Sequence, residues 1–190
     1  MNNHYWRSVD GWFGDNDRMI YAGAIAQYGK NSILAEVGTW KGRSLISILP
    51  IAKKLEYRQV VAIDTFMGSV DEMDTSHSEA KSINIREVFE SNLKNADGAD
   101  LVTILQQEST YATTFFPDEY FDVIFLDAQH SYEAVREDII HWLPKLRPGG
   151  TLLGHDWLWE TVQAAVVDTL SPLGPQHVTE NMWWYFKEYP

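Results

Sequence analysis

The sequence predicts an α/β protein, a mostly parallel sheet wrapped by helices and ending in an antiparallel strand. Three observations carry that expectation. Apolar runs of strand length alternate with helical patterns through most of the 190 residues. The run Ser32-Ile33-Leu34-Ala35 leads through Glu36 and Val37 into two glycines four apart, Gly38 and Gly42, and then straight into a helical pattern. Residues 121–126 are almost wholly apolar, as a central parallel strand covered on both faces requires.

The elements follow in chain order. Asn16 or Asp17 is placed to start a helix over 18–28, inside a helical cap formed by residues 1–31. The first strand covers 33–37, and a helix over 44–55 follows the glycine loop. The second strand covers 60–63 and is closed by Asp64. A polar insert, 68–82, carries Asp71, Glu72, Asp74 and Glu79 and leads into a helix over 83–95. The third strand covers 101–105, and 110–116 reads as a short helix or turn. After the fourth strand, 121–126, Ser131 caps a helix over 131–146, with Glu133 and Glu137 near its positive end. Pro148-Gly149-Gly150 stops that helix, and 151–154 is the fifth strand. A helical stretch over 157–170 and a Pro/Gly-rich turn over 171–175 precede an aromatic strand over 182–187. No crossover helix leads into that strand, which places it in an antiparallel hairpin at the sheet edge. The chain reads as one domain, 1–190: a cap (1–31), a cofactor-binding core (32–157), and a C-terminal helix with its hairpin (158–190).

Composition narrows the function. The formal net charge of −12 repels phosphate backbones and argues against DNA or RNA as a partner. Lys41, Arg43, Lys53, Lys54 and Arg58 read as solvated helix and loop charges. The chain has no cysteine, which excludes disulfides, thiolate metal sites and a cysteine nucleophile. The N-terminal stretch lacks a signal-peptide pattern and no apolar run reaches membrane-spanning length, so the expectation is a soluble, cytoplasmic protein.

Ligands of open parallel sheets bind at the carboxyl ends of the strands. Those ends here hold Glu36-Val37-Gly38, Asp64-Thr65-Phe66, Gln107-Glu108-Ser109, Asp127-Ala128-Gln129-His130 and His155-Asp156-Trp157. Every one carries an acid and two carry a histidine. Gly38 allows a backbone conformation closed to other residues, and Gly42 allows a ligand to approach the main chain. Glu36 is positioned to accept from an amine or to brace the loop. Asp64 occupies the place of an acid that takes both hydroxyls of a ribose, a helix cap being the plainer alternative. Phe66 and Met67 either cover an adenine face or belong to the core. The pattern E-x-G-x-x-x-G is not G-x-G-x-x-G, and it lacks the Lys-Ser/Thr ending of a phosphate-binding loop.

With Glu36 and Asp64, this loop resembles the first two motifs of class I S-adenosylmethionine-dependent methyltransferases. The segment FDVIFLDAQHSYEAVREDIIHWLPKLRPGGTLLGHDW is similar to one subfamily of them. That subfamily is the small O-methyltransferase-like group, methyltransferase family 24, which takes in sugar- and antibiotic-modifying enzymes and cephalosporin hydroxylase-like proteins. The resemblance covers about 33–157. It implies a Rossmann-like three-layer αβα sandwich with a seven-stranded sheet. It also implies that Glu36, Gly38 and Gly42 hold the methionine part of S-adenosylmethionine, with Thr39 and Ser44 also at the cofactor and Trp40 either a lid on it or a packing residue. Asp64, Thr65 and Phe66 would lie at its ribose and adenine, Glu108 or Ser109 beside the adenine, and Asp127 near the sulfonium.

Asp127, His130, His155 and Asp156 stand at two adjacent strand ends. In metal-dependent relatives, acids at such positions hold Mg2+, and Asp127 with Asp156 form the corresponding pair here. The other reading makes His155 a general base, with His130 either assisting or bracing the Asp127 turn. The third acid of the metal-dependent groups is replaced by His155 or Trp157. DAQHSY stands where amino-methylating enzymes carry an N-P-P-Y-type loop, which fits an oxygen acceptor. The reading is methyl transfer to a small-molecule hydroxyl of a sugar or natural product. The alternatives are a non-catalytic cofactor-binding or assembly subunit and a nicotinamide-dependent oxidoreductase. Tyr5, Trp6, Trp12 and Phe13 either stack on the acceptor or form a homo-oligomer contact.

Overall fold

The computed structural model describes residues 4–69, 75–174 and 176–189. Seven strands form one sheet in the order β3-β2-β1-β4-β5-β7-β6. They are β1 (Ile33–Val37), β2 (Gln59–Asp64), β3 (Val102–Gln106), β4 (Phe121–Leu126), β5 (Leu146–Gly154), β6 (Gln176–Thr179) and β7 (Met182–Phe186). Strands β1 to β5 pair in parallel, whereas β7 lies antiparallel between β5 and β6. Residue Val37 pairs with Ile63 on one side and Leu126 on the other, so β1 stands at the centre. The chain runs outward from β1 in one direction to β3 and returns to β4 on the other side. That reversal opens a crevice above the carboxyl ends of β1 and β4.

Helices cover both faces. They are α1 (Asp15–Ile25), α2 (Arg43–Lys54), α3 (Ser76–Ala80), α4 (Ile85–Lys94), α5 (Ser109–Ala112), α6 (Tyr132–Trp142) and α7 (Glu160–Leu170). The two-residue period of β1 divides its side chains between two core layers. Leu34 packs with Tyr21, Leu45, Phe89 and Phe125. Ile33, Ala35 and Val37 pack on the other face with Ile139, Trp142 and Val166. Glu36 shares the Leu34 face, which brings it against α1 and α2.

Four expectations change. Helix α1 begins at Asp15, and Asp17 is its third residue, where its Oδ2 accepts the Gly14 amide at 2.8 Å. Helix α6 ends at Trp142, and Pro148-Gly149-Gly150 belongs to β5 instead of stopping a helix. The pairing of β4 with β5 shifts register between Phe121 and Val123, and such an irregularity accommodates a proline that cannot donate to the ladder. The insert contains a short helix, α3, that its polar composition did not reveal; Asp71, Glu72 and Asp74 lie outside the described residues. Helix α7 starts at Glu160, with 157–159 left as a turn.

Two of the charges read as solvated are structural. Lys41 is buried and its Nζ donates to Asp10 Oδ2 and to Glu79 Oε1, each at 2.6 Å. The Arg43 guanidinium donates to the carbonyls of Phe13 and Val9, each at 2.7 Å, and so holds the N-terminal arm against α2. Trp6 lies in the core under three guanidiniums, those of Arg7, Arg18 and Arg43, and is therefore no acceptor wall. Among the described residues no helix is long and apolar enough to cross a membrane.

Candidate active site

A cavity of about 790 Å3 lies over the carboxyl ends of β1, β2, β4 and β5. Gly38, Thr39, Trp40 and Ser44 line it from the glycine loop, and Asp64 and Thr65 from the end of β2. Glu108 and Ser109 line it from the β3–α5 junction, and Asp127, His130, His155 and Asp156 from the ends of β4 and β5. Glu36, Gly42 and Phe66 do not line it.

Each of those three faces the protein instead. Glu36 is fully buried and accepts from Tyr21 Oη at 2.9 Å and Ser44 Oγ at 2.6 Å. Burial pushes its carboxyl up to about 8, against the pull of those two hydroxyls. Gly42 has φ 91°, and a Cβ there would stand 2.9 Å from the Phe89 ring, so the open space serves helix packing. Phe66 is buried with its ring 5.5 Å from that of Phe89, which answers the adenine-or-core alternative in favour of core. Gly38 has φ 88°, and a Cβ would fall 2.0 Å from the Asp127 carbonyl oxygen. The glycine lets the loops after β1 and β4 touch.

Asp64 ties two loops together. Its Oδ2 accepts the Trp40 amide at 2.6 Å and its Oδ1 the Phe66 amide at 2.7 Å. Burial nevertheless raises its carboxyl above the ordinary value. Glu108 caps α5, accepting the Thr110 and Tyr111 amides at 3.1 and 2.9 Å. Ser109 donates to Asp138 and accepts from Trp142 Nε1 at 2.9 Å. Asp138 also lines the cavity and is 5% exposed, and burial pushes it up to about 7. It was missed in the sequence, although an acid at the buried spacing of Val135, Ile139 and Trp142 on α6 was a readable signal.

At the other end, His155 sits inside a ring of acids. Its Nδ1 lies 3.1 Å from Asp156 Oδ2 and 3.5 Å from Asp127 Oδ1, and its Nε2 lies 3.4 Å from Asp17 Oδ2. Burial alone would depress its pKa, but the three carboxylates outweigh it and push it up to about 12. Asp156 is held well below the usual carboxylate range: burial opposes, and His130 and His155 prevail. Asp127 moves the other way, raised by burial against the pull of His155. His130 Nε2 lies 3.0 Å from Asp156 Oδ2, and its ring packs 4.6 Å from Trp159. Asp127, His130 and Asp156 can bring one donor atom each within 4.8 Å of one another. Asp17 and Asn181 complete this cluster from α1 and the β6–β7 turn, and nothing local in the sequence marks either one.

The sheet order, the reversal at β1 and the acid closing β2 together describe the class I methyltransferase fold. A family described as "Methyltransferase domain" matches residues 35–157. The chain belongs to that family. Among solved structures, the O-methyltransferase NovP is 17% identical, with TM-score 0.70 over 92% of this chain and 79% of that one. An S-adenosylmethionine-dependent O-methyltransferase from Thermotoga maritima is 15% identical, with TM-score 0.68 over 96% of this chain and 69% of that one. CalS11, a TDP-rhamnose 3'-O-methyltransferase of calicheamicin biosynthesis, is 13% identical, with TM-score 0.60 over 92% and 81%. At these identities the likeness is one of fold. No curated protein matches the chain in sequence.

Proposed function

We propose that the protein transfers the methyl group of S-adenosylmethionine to a hydroxyl oxygen of a small molecule. The observation that carries this reading is the single cavity that joins the Asp64-tethered loop to the Asp127–His130–Asp156 cluster. The residues present fit the methyl donor. The cavity is within the range of small-ligand sites. Thr39 Oγ1 and Trp40 Nε1 are buried in its glycine loop without a hydrogen-bond partner among the described residues. The Asp64 carboxylate accepts the Trp40 and Phe66 amides with Thr39 close by, and its remaining lone-pair capacity faces the cavity, where a ribose hydroxyl would donate. The bound donor supplies an electrophilic methyl on sulfur.

Asp127 is the residue we assign to proton removal. Its raised pKa suits a general base better than an ordinary carboxylate does. His155, protonated up to about pH 12, has no lone pair to offer. Its imidazolium steadies Asp127 and Asp156, a positioning role in place of the expected base. The acceptor oxygen forms the new bond to the methyl carbon and its proton passes to Asp127. With the donor bound, its methyl group would leave and the electron pair of that bond would stay on sulfur. Phe13 and Trp159 help keep water from the reacting centre.

Mg2+ fits this cluster poorly. It prefers near-octahedral oxygen ligands, whereas one of the three donors is the His130 nitrogen. Asp156 Oδ2 already takes His130 and His155 at 3.0 and 3.1 Å. No step is therefore routed through the ion. The reading is tested by calorimetric titration with S-adenosylmethionine, then by methyl transfer to a panel of hydroxyl compounds. Saturable binding with O-methylated product is expected. A folded protein that fails to bind S-adenosylmethionine would overturn it.

A further inference from the structure

The charges around the cavity narrow the acceptor further, given the O-methyl reading above. Its wall carries seven carboxylates, with Asp10, Glu108, Asp127, Glu137 and Asp156 among them. The only Lys or Arg among the described wall residues is Arg43, whose Nε and Nη1 donate to the Phe13 and Val9 carbonyls. Lys41, next to the loop, is turned to Asp10 and Glu79. The His155 imidazolium is likewise engaged, by Asp17, Asp127 and Asp156, so a phosphate or carboxylate on the acceptor would meet acids with no uncommitted cation to neutralise it.

A second feature is independent of that charge. Trp12 lines the cavity and is 62% exposed, an unusual state for an indole held on a fixed arm. The arm is fixed, because Arg43 holds the carbonyls on both sides of Trp12 and Lys41 holds Asp10. The Trp12 ring lies 6.5 Å from that of Trp40. Asp10 stands two residues away on the same arm, its side chain 79% exposed. Its Oδ2 is engaged by Lys41, and a carboxylate has a second oxygen to present. An exposed indole and a carboxylate lining one cavity are the combination that recognises an ammonium group.

We propose that the acceptor is a hydroxylated amine, whose protonated amino group binds between the Trp12 indole and the Asp10 carboxylate while its hydroxyl reaches Asp127. Phosphorylated or carboxylated hydroxyl compounds are disfavoured by the same wall.

The test uses the full chain saturated with S-adenosylhomocysteine and measures binding by calorimetry for two matched series. Tyramine, 4-ethylphenol and 4-hydroxyphenylacetate form one; glucosamine, glucose and glucose 6-phosphate form the other. The amine is expected to bind about tenfold more tightly than its neutral or anionic partner in at least one series. Trp12→Ala and Asp10→Asn should each reduce that preference about three- to tenfold, a range consistent with a partly exposed cation–π contact. Equal or tighter binding of the anionic members overturns the proposal, as does a preference unchanged in both variants. Methyl transfer to the same compounds is read in parallel with S-adenosylmethionine. Binding of the amine without any O-methylated product counts against the O-methyl reading alone.

Discussion

The Tyr21 hydroxyl donates to Glu36 Oε2 at 2.9 Å and so joins α1 to the end of β1 inside the core. This contact takes the acid of the glycine-loop motif out of the cavity and makes it a buried brace. The unfolded carboxyl releases its proton near 4.5, and the folded one near 8. Between those values the folded state holds one extra proton. Stability from this group is thus complete below about 4.5 and declines as pH rises to 8. Urea denaturation at pH 5, 6.5 and 8 should show wild-type stability falling across the series. Glu36→Gln should flatten that fall by at least about 1 kcal/mol; parallel curves for the two proteins would reject the buried, protonated acid.

Gly38 is the position least able to change. A Cβ at 2.0 Å from the Asp127 carbonyl cannot be relieved by a side-chain rotation, and φ 88° adds backbone strain. Gly38→Ala is expected to cost about 3 kcal/mol or more, read from the shift in denaturation midpoint. S-adenosylhomocysteine binding should be lost with it, since the clash displaces the Gly38–Trp40 loop that lines the cavity.

Asp64→Asn keeps the shape but replaces one accepting oxygen with a donor, facing either the Trp40 or the Phe66 amide. The loop is expected to loosen, and the affinity for S-adenosylhomocysteine to fall about tenfold or more. Circular dichroism should be unchanged. Affinity within twofold of wild type would remove Asp64 from the binding reading.

Asp127→Asn separates chemistry from binding. The turnover rate should drop at least about 100-fold, the usual range for a lost general base, while cofactor affinity stays within about threefold. Dialysis against EDTA should leave wild-type turnover intact, and added Mg2+ should change it less than twofold. Turnover abolished by EDTA and restored by Mg2+ would reinstate the metal reading.

Much of this site was readable along the chain, and for a definite reason. Strand ends announce themselves by an apolar run followed by a polar residue, and a parallel sheet collects such ends at one edge. Asp64, Glu108, Asp127 and Asp156 could be assembled from that rule alone. The rule says nothing about which way a residue faces. Glu36 ends a strand like the others, but the two-residue period turns it toward α1 and α2. Residues from remote segments were equally out of reach: Asp17 and Asn181 meet His155 from opposite ends of the chain. Sequence spacing holds no record of that meeting.

By itself the sequence determined the α/β class, the succession of central strands and the glycine loop that lines the cavity. Those features depend on local periodicity and on backbone conformations that few residue types can adopt. Only the tertiary structure decided the protonation of the site. Three acids from α1, β4 and β5 converge on one buried imidazole, and low dielectric with short distances makes their combined field stronger than the cost of burial. His155 therefore holds its proton, which is why proton removal is proposed for Asp127.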